Sequence, residues 1–134
     1  MKAIIFSLLC FTSLFSHADL SDDIEGVIYN NLKFTMDENI PGVMSTIHSQ
    51  SPAFLASQNM MEQLFSAYEI SFTIHNIKVI GSDGDYAYAR VTQSSKKVSG
   101  PAFQDNTLDM LQVFKKEDDQ WKLWTQANLD IKFD

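Results

Sequence analysis

The sequence predicts an α+β fold in which three N-terminal helical segments pack on a four-stranded antiparallel sheet. Three observations carry this. The last segment alternates, with Trp121, Leu123, Thr125, Ala127, Leu129, Ile131 and Phe133 at odd positions and Lys122, Trp124, Gln126, Asn128, Asp130 and Lys132 at even ones. A period of two gives one buried and one wet face. Apolar residues at helical spacing fill the first half of the chain. Turn residues then punctuate the second half at Ser82-Asp83-Gly84-Asp85 and Glu117-Asp118-Asp119-Gln120.

The first residues read as a targeting segment. Met1-Lys2 is positive, Ala3 to Phe15 is an apolar run, and Ser16-His17-Ala18 places small residues where a signal peptidase cuts. That run is shorter than the ~20 apolar residues a membrane span needs. The expected organisation is a cleaved signal at 1–18 and a single domain at 19–134. Cys10, the only cysteine, would leave with the signal, so neither disulfide nor lipid anchor is expected. The expected location is the periplasm or the medium.

Removing Lys2 takes one from ten Lys/Arg against 17 Asp/Glu, moving the net charge from −7 to −8. Nucleic acid is disfavoured as a partner, because phosphate contacts need clustered cations. Anionic membrane surfaces are disfavoured for the same reason.

Ser21 is the expected cap of the first helix, with Asp22, Asp23 and Glu25 in its first turn. Ile24, Val27, Ile28 and Leu32 form its apolar stripe, and it should end near residues 37–39. Pro41 suits the first turn of a second helix carrying Val43, Met44 and Ile47, which Ser51-Pro52 breaks. Ser57 is the expected cap of a third helix reaching Tyr68, with Met60, Met61, Leu64 and Phe65 apolar. Four strands follow at 71–80, 86–95, 103–116 and 121–133. Asp83-Gly84 is the expected first hairpin turn, and 96–102, with Gly100-Pro101, a longer loop.

A turn at Asp118-Asp119 pairs Phe114 with Leu123, Gln112 with Thr125 and Met110 with Ala127. Leu108, Met110 and Phe114 then face the core. Leu111, Val113 and Trp124 fall together on the other face, and an exposed apolar patch marks an interface. A turn at Asp83-Gly84 places His75, Tyr88, Arg90 and Thr92 on one face. If that face looks inward it meets Gln112 and forms a polar patch in which Arg90, the only arginine, suits a carboxylate. If it looks outward, Ala87, Ala89 and Val91 pack inward instead.

The segments "GDYAYARVTQSS" at 84–95 and "FQDNTLDMLQVFKKEDDQWKLW" at 103–124, with the one-sided last strand, resemble the nuclear transport factor 2-like superfamily (the cystatin-like fold), and within it small bacterial SnoaL-like members. The resemblance spans about 22–133. It implies a cone-shaped fold with a cavity between a curved four-stranded sheet and the helices, and a homodimer through the outer sheet faces, where Leu111, Val113 and Trp124 lie. Ketosteroid isomerases share this fold and need a carboxylate base in an apolar pocket. Tyr29 on the first helix could imitate their tyrosine, but Asp109 and Asp130 fall on the outer face. No metal-ligand spacing, nucleophile elbow or phosphate loop appears, and no cofactor is expected.

Three functional readings follow. The first is an accessory domain holding, in the cavity between sheet and helices, a small apolar ligand, with or without an anionic group, or a partner protein, through Tyr29, His75, Tyr88, Arg90 and Gln112. The second is a cofactor-independent isomerase or hydrolase using Tyr29 or His75. The third is a structural dimerisation module.

Overall fold

The computed structural model describes residues 17–134. The expected signal segment lies outside them, apart from His17 and Ala18 at the head of the first helix. Three helices, α1 (His17–Met36), α2 (Ile40–Ser45) and α3 (Phe54–Ala67), precede four strands. The strands, β1 (Glu69–Asp83), β2 (Tyr86–Ser99), β3 (Asn106–Glu117) and β4 (Gln120–Phe133), form one antiparallel meander in sequence order. The expected α+β class holds.

α1 begins earlier than Ser21, which lies inside it and donates its hydroxyl to Glu25 at 3.1 Å. Its end is a left-handed cap. Glu38 takes φ 52°, Asn39 N–H reaches the Phe34 carbonyl, and Glu38 N–H the Thr35 carbonyl. This is the Schellman pattern with glutamate where glycine is usual. Asn39 at once caps α2, its side chain accepting from Gly42 N–H at 3.0 Å. α3 starts at Phe54 rather than at Ser57. Its cap position is Ala53, whose N–H is held by the Ser51 hydroxyl at 3.0 Å.

The turn between β1 and β2 is Gly84-Asp85, one residue later than expected. Asp83 pairs with Tyr86, and Gly84 supplies the positive φ of 58°. β2 runs on to Ser99, because Lys96, Lys97 and Ser99 still pair with β1, so the loop shrinks to 100–105. Asp118 and Asp119, at φ 51° and 60°, make the expected β3–β4 turn.

Ala87, Ala89 and Val91 of β2 face inward against Ile24 and Ile28 of α1, with Met110 and Phe114 of β3. The two alanines let α1 sit close to the sheet. Phe114, Ile24 and Val91 are the largest fully buried side chains, each stabilising the fold by about 1.5–3 kcal/mol. Val43, Met44 and Ile47 make a second cluster with Phe34, Phe54 and Met61, and Leu123 packs against both clusters. No residue of α3 is buried.

β4 departs from simple alternation. Phe114 pairs with Leu123 as expected, but Gln112 pairs with Gln126 and Met110 with Asn128. Register slips between Val113 and Phe114, and again between Asp109 and Met110, leave Trp124 and Leu129 as extra residues of two bulges. Past the first bulge the faces exchange, so Thr125 and Ala127 pair with outer-face Val113 and Leu111, although Thr125 still reaches the cavity between the helices and the sheet. Leu129, Ile131 and Phe133, expected to be buried, are exposed at 52%, 45% and 55%.

Candidate functional site

A cavity of about 540 Å³ lies between the helices and the inner face of the sheet, within the size range of small-molecule sites. α3 supplies Met60, Met61 and Leu64 to the helix wall. Asn31, Leu32 and Thr35 come from the last turns of α1. From the sheet, β1 contributes Ile70 and Phe72, β2 contributes Gln93 and Ser95, β3 contributes Leu108, Met110 and Gln112, and β4 contributes Gln126 and Asn128. The lining is apolar on the helix side and rich in carboxamides on the sheet side. None of its side chains is charged at neutral pH. Gln112 Nε2 donates to Gln126 Oε1 at 3.2 Å, and Asn31 Nδ2 donates to the Thr46 hydroxyl at 2.8 Å.

Of the five candidate ligand-binding residues, only Gln112 lines this cavity. Tyr29 is half-exposed on α1 and contributes nothing to the wall. Tyr88 and Arg90 point to the outer side, since the intervening Ala87, Ala89 and Val91 fill the inner one. His75 is the extra residue of a β1 bulge between Ile74 and Asn76, and its Nε2 meets the Ser94 hydroxyl at 2.9 Å. Asn76, not His75, lies opposite Thr92, and Lys78 lies opposite Arg90. The outward orientation of this face is therefore the correct alternative.

Arg90 has a partner there. Its Nε donates to Asp109 Oδ1 at 2.9 Å, and Nη2 to the second oxygen. The hydrogen bonds and the opposite charge raise Arg90 above its usual value and hold Asp109 below the usual carboxylate range. The guanidinium is thus already engaged with a carboxylate, a planar fork on a planar acceptor.

Leu111 and Val113 sit on the outer face as expected, both partly buried. Trp124 is held by neighbours of its own chain. Its ring meets His48 edge-on at 5.0 Å and Tyr86 at 6.4 Å, with Lys115 Nζ 4.4 Å from its centre. Trp124 also reaches the cavity lining.

The segment after α2 is strapped to β4. His48 N–H donates to the Leu123 carbonyl, and Leu123 N–H to the Thr46 carbonyl. Glu117 accepts from the backbone and the hydroxyl of Ser49. These bonds hold its carboxyl below the usual range, against a desolvation that works the other way. His48 is buried, and its Nδ1 accepts from Gln50 N–H at 3.1 Å. Among the described residues, no three His, Cys, Asp or Glu side chains gather as a metal site, and no helix is long and apolar enough to cross a membrane.

The family model for the C-terminal domain of anti-sigma-I factor RsgI9 matches residues 26–133. The chain belongs to this family. No curated protein matches it. Among solved structures, a conserved protein of Planctomyces limnophilus superposes with TM-score 0.67 at 21% identity, covering 88% of this chain and 99% of that one. A proposed dehydratase of the nuclear transport factor 2-like family from Streptomyces avermitilis gives 0.66 at 16%, covering 83% and 95%. A cystatin-like protein of unknown function from Nostoc punctiforme gives 0.66 at 10%, covering 84% and 91%. These likenesses carry the fold, which is nuclear transport factor 2-like.

The carboxamide strip is the feature the sequence did not disclose. Its members come from β2, β3 and β4, and the β4 ones reach the cavity only through the Trp124 bulge. An adjacent Trp124-Thr125-Gln126 carries no local bulge signature such as glycine.

Proposed function

We propose that this domain is an exported accessory module that holds a small, largely apolar ligand in the cavity between α3 and the sheet. The observation that carries this reading is the cavity itself, about 540 Å³, open enough for a ligand and lined without any charged group. Acid–base catalysis needs a titratable group within hydrogen-bond reach of the substrate, and the lining offers none. That weighs against an isomerase or hydrolase working through Tyr29 or His75, although one structural relative is a proposed dehydratase. An anionic ligand also loses support, because Arg90 lies on the other side of the sheet, paired with Asp109. The family description names a domain of a regulator, which favours binding over turnover.

We also propose that the module works as a homodimer through the outer sheet face, where Leu111 and Val113 lie beside Tyr88 and Ala127. The periplasm or the medium is the proposed location.

The test is binding of a neutral fluorescent probe, N-phenyl-1-naphthylamine, to the mature chain. Saturable enhancement is expected in the wild type and its loss in Met61→Trp, which fills the cavity from α3. No enhancement, or enhancement indifferent to Met61→Trp, would overturn the reading.

A further inference from the structure

We propose that the cavity selects an uncharged amphiphile, whose polar head is held by the carboxamides of Gln112, Gln126 and Asn128 and whose apolar chain lies against α3 and β1. This deepens the ligand-binding reading above and rests on it.

The first support is the β4 bulge. Unbroken alternation from Leu123 would turn Thr125 and Ala127 into the cavity. The extra residue at Trp124 brings Gln126 and Asn128 into the lining beside Thr125 and leaves Ala127 out of it, and the second bulge at Leu129 returns Ile131 to the inner side. A bulge gives up regular ladder pairing, and it commonly re-aims a side chain beside a site. Here two bulges five residues apart, at Trp124 and Leu129, confine the inverted stretch to the part of β4 that faces the cavity.

The second support is hydrogen-bond valence. The Gln112–Gln126 bond uses one N–H of Gln112 and the oxygen of Gln126. Gln112 Oε1, Gln126 Nε2 and the Asn128 side chain have no protein partner among the described residues, and Gln126 and Asn128 present their carboxamides at the solvent-exposed side of the cavity. The strip therefore presents acceptors and donors together. A primary amide or a hydroxyl does both and satisfies both. A carboxylate only accepts, so it would leave Gln112 Oε1 facing another acceptor, and the lining holds no cation to attract it. An ammonium head fails in the converse way, with no anion to meet it.

The third support is the apolar part of the lining. Met60, Met61 and Leu64 of α3 and Ile70 and Phe72 of β1 all border the cavity. Methionine adapts its shape to an alkyl chain at little cost.

The experiment is displacement of N-phenyl-1-naphthylamine from the full mature chain by dodecanamide or by dodecanoate, at about pH 8, where the acid is ionised. Dodecanamide is expected to displace the probe at a concentration at least tenfold lower. In Gln126→Leu/Asn128→Leu the probe should still bind while this preference disappears. Should that variant fail to fold, Gln126→Met, of similar volume, is expected to weaken the amide severalfold. Equal displacement by acid and amide, displacement by neither, or a preference unchanged in the variants overturns the proposal while leaving the ligand-site reading standing. Absence of binding by probe and amide alike, in calorimetry as in fluorescence, overturns both.

Discussion

Glu117 accepts two hydrogen bonds from Ser49, one from its backbone N–H at 3.1 Å and one from its hydroxyl, tying the β3–β4 hairpin to a segment 68 positions earlier in the chain. Leu123, six residues past Glu117, exchanges backbone bonds with Thr46 and His48. Together they close one side of the cavity.

The Ser49 bonds favour the ionised carboxyl of Glu117 and hold it below its ordinary value. A depressed folded-state value means a contribution fully present above the unfolded value, about pH 4.3, and lost as pH falls through the lower folded value. Glu117→Gln is therefore expected to lower Tm by a few degrees at pH 7 and to flatten its fall between about pH 5 and pH 3. Thermal melts across that range check this. An unchanged acid limb in the variant would show that the strap contributes no pH dependence.

Two glycines should respond in opposite directions to alanine. Gly100 sits at φ 120°, and an added Cβ would come within 2.5 Å of the Ala67 carbonyl oxygen. Gly100→Ala is expected to cost about 1–3 kcal/mol. Gly26 lies inside α1 with nothing within 4 Å of the added atom. Gly26→Ala should stabilise by about 0.5–1 kcal/mol through reduced unfolded-state freedom. Urea unfolding of both variants settles the signs.

Phe114 is fully buried where α1 meets β2 and β3. Phe114→Ala removes a large aromatic from a close-packed site and should cost about 3–5 kcal/mol. A loss below about 1 kcal/mol in urea unfolding would mean that this core collapses around the void.

The outer-face dimer is best tested away from Trp124, because His48, Tyr86 and Lys115 already engage that ring. Leu111→Glu with Val113→Glu should convert a dimer to a folded monomer by light scattering, with the circular dichroism unchanged. A wild type that is already monomeric would end the proposal.

Much of the fold was legible because its signals are local. Apolar stripes marked α1 and α2, Asp118-Asp119 marked the last hairpin, and Phe114 opposite Leu123 followed from counting back from that turn. The helix starts were misjudged because Ser21 and Ser57 have capping chemistry but lie within helices that begin earlier. The site was far less legible. Arg90 invites a ligand role by its chemistry alone, yet small Ala87 and Ala89 inward decide that it points out. Gln126 and Asn128 look like solvent-facing residues of an alternating strand. Only long-range pairing across β3 exposes the slip at Trp124, and pairing geometry leaves no trace in residue type.

The absence of any buried residue in α3 has an energetic consequence. A helix whose inner side borders empty space gains little from burial, so its amides should exchange with solvent through local opening far below the global unfolding free energy. Anything filling the cavity supplies that missing packing. Occupancy would then appear first as slowed exchange at Met60, Met61 and Leu64, before the melting temperature of the whole domain moves appreciably.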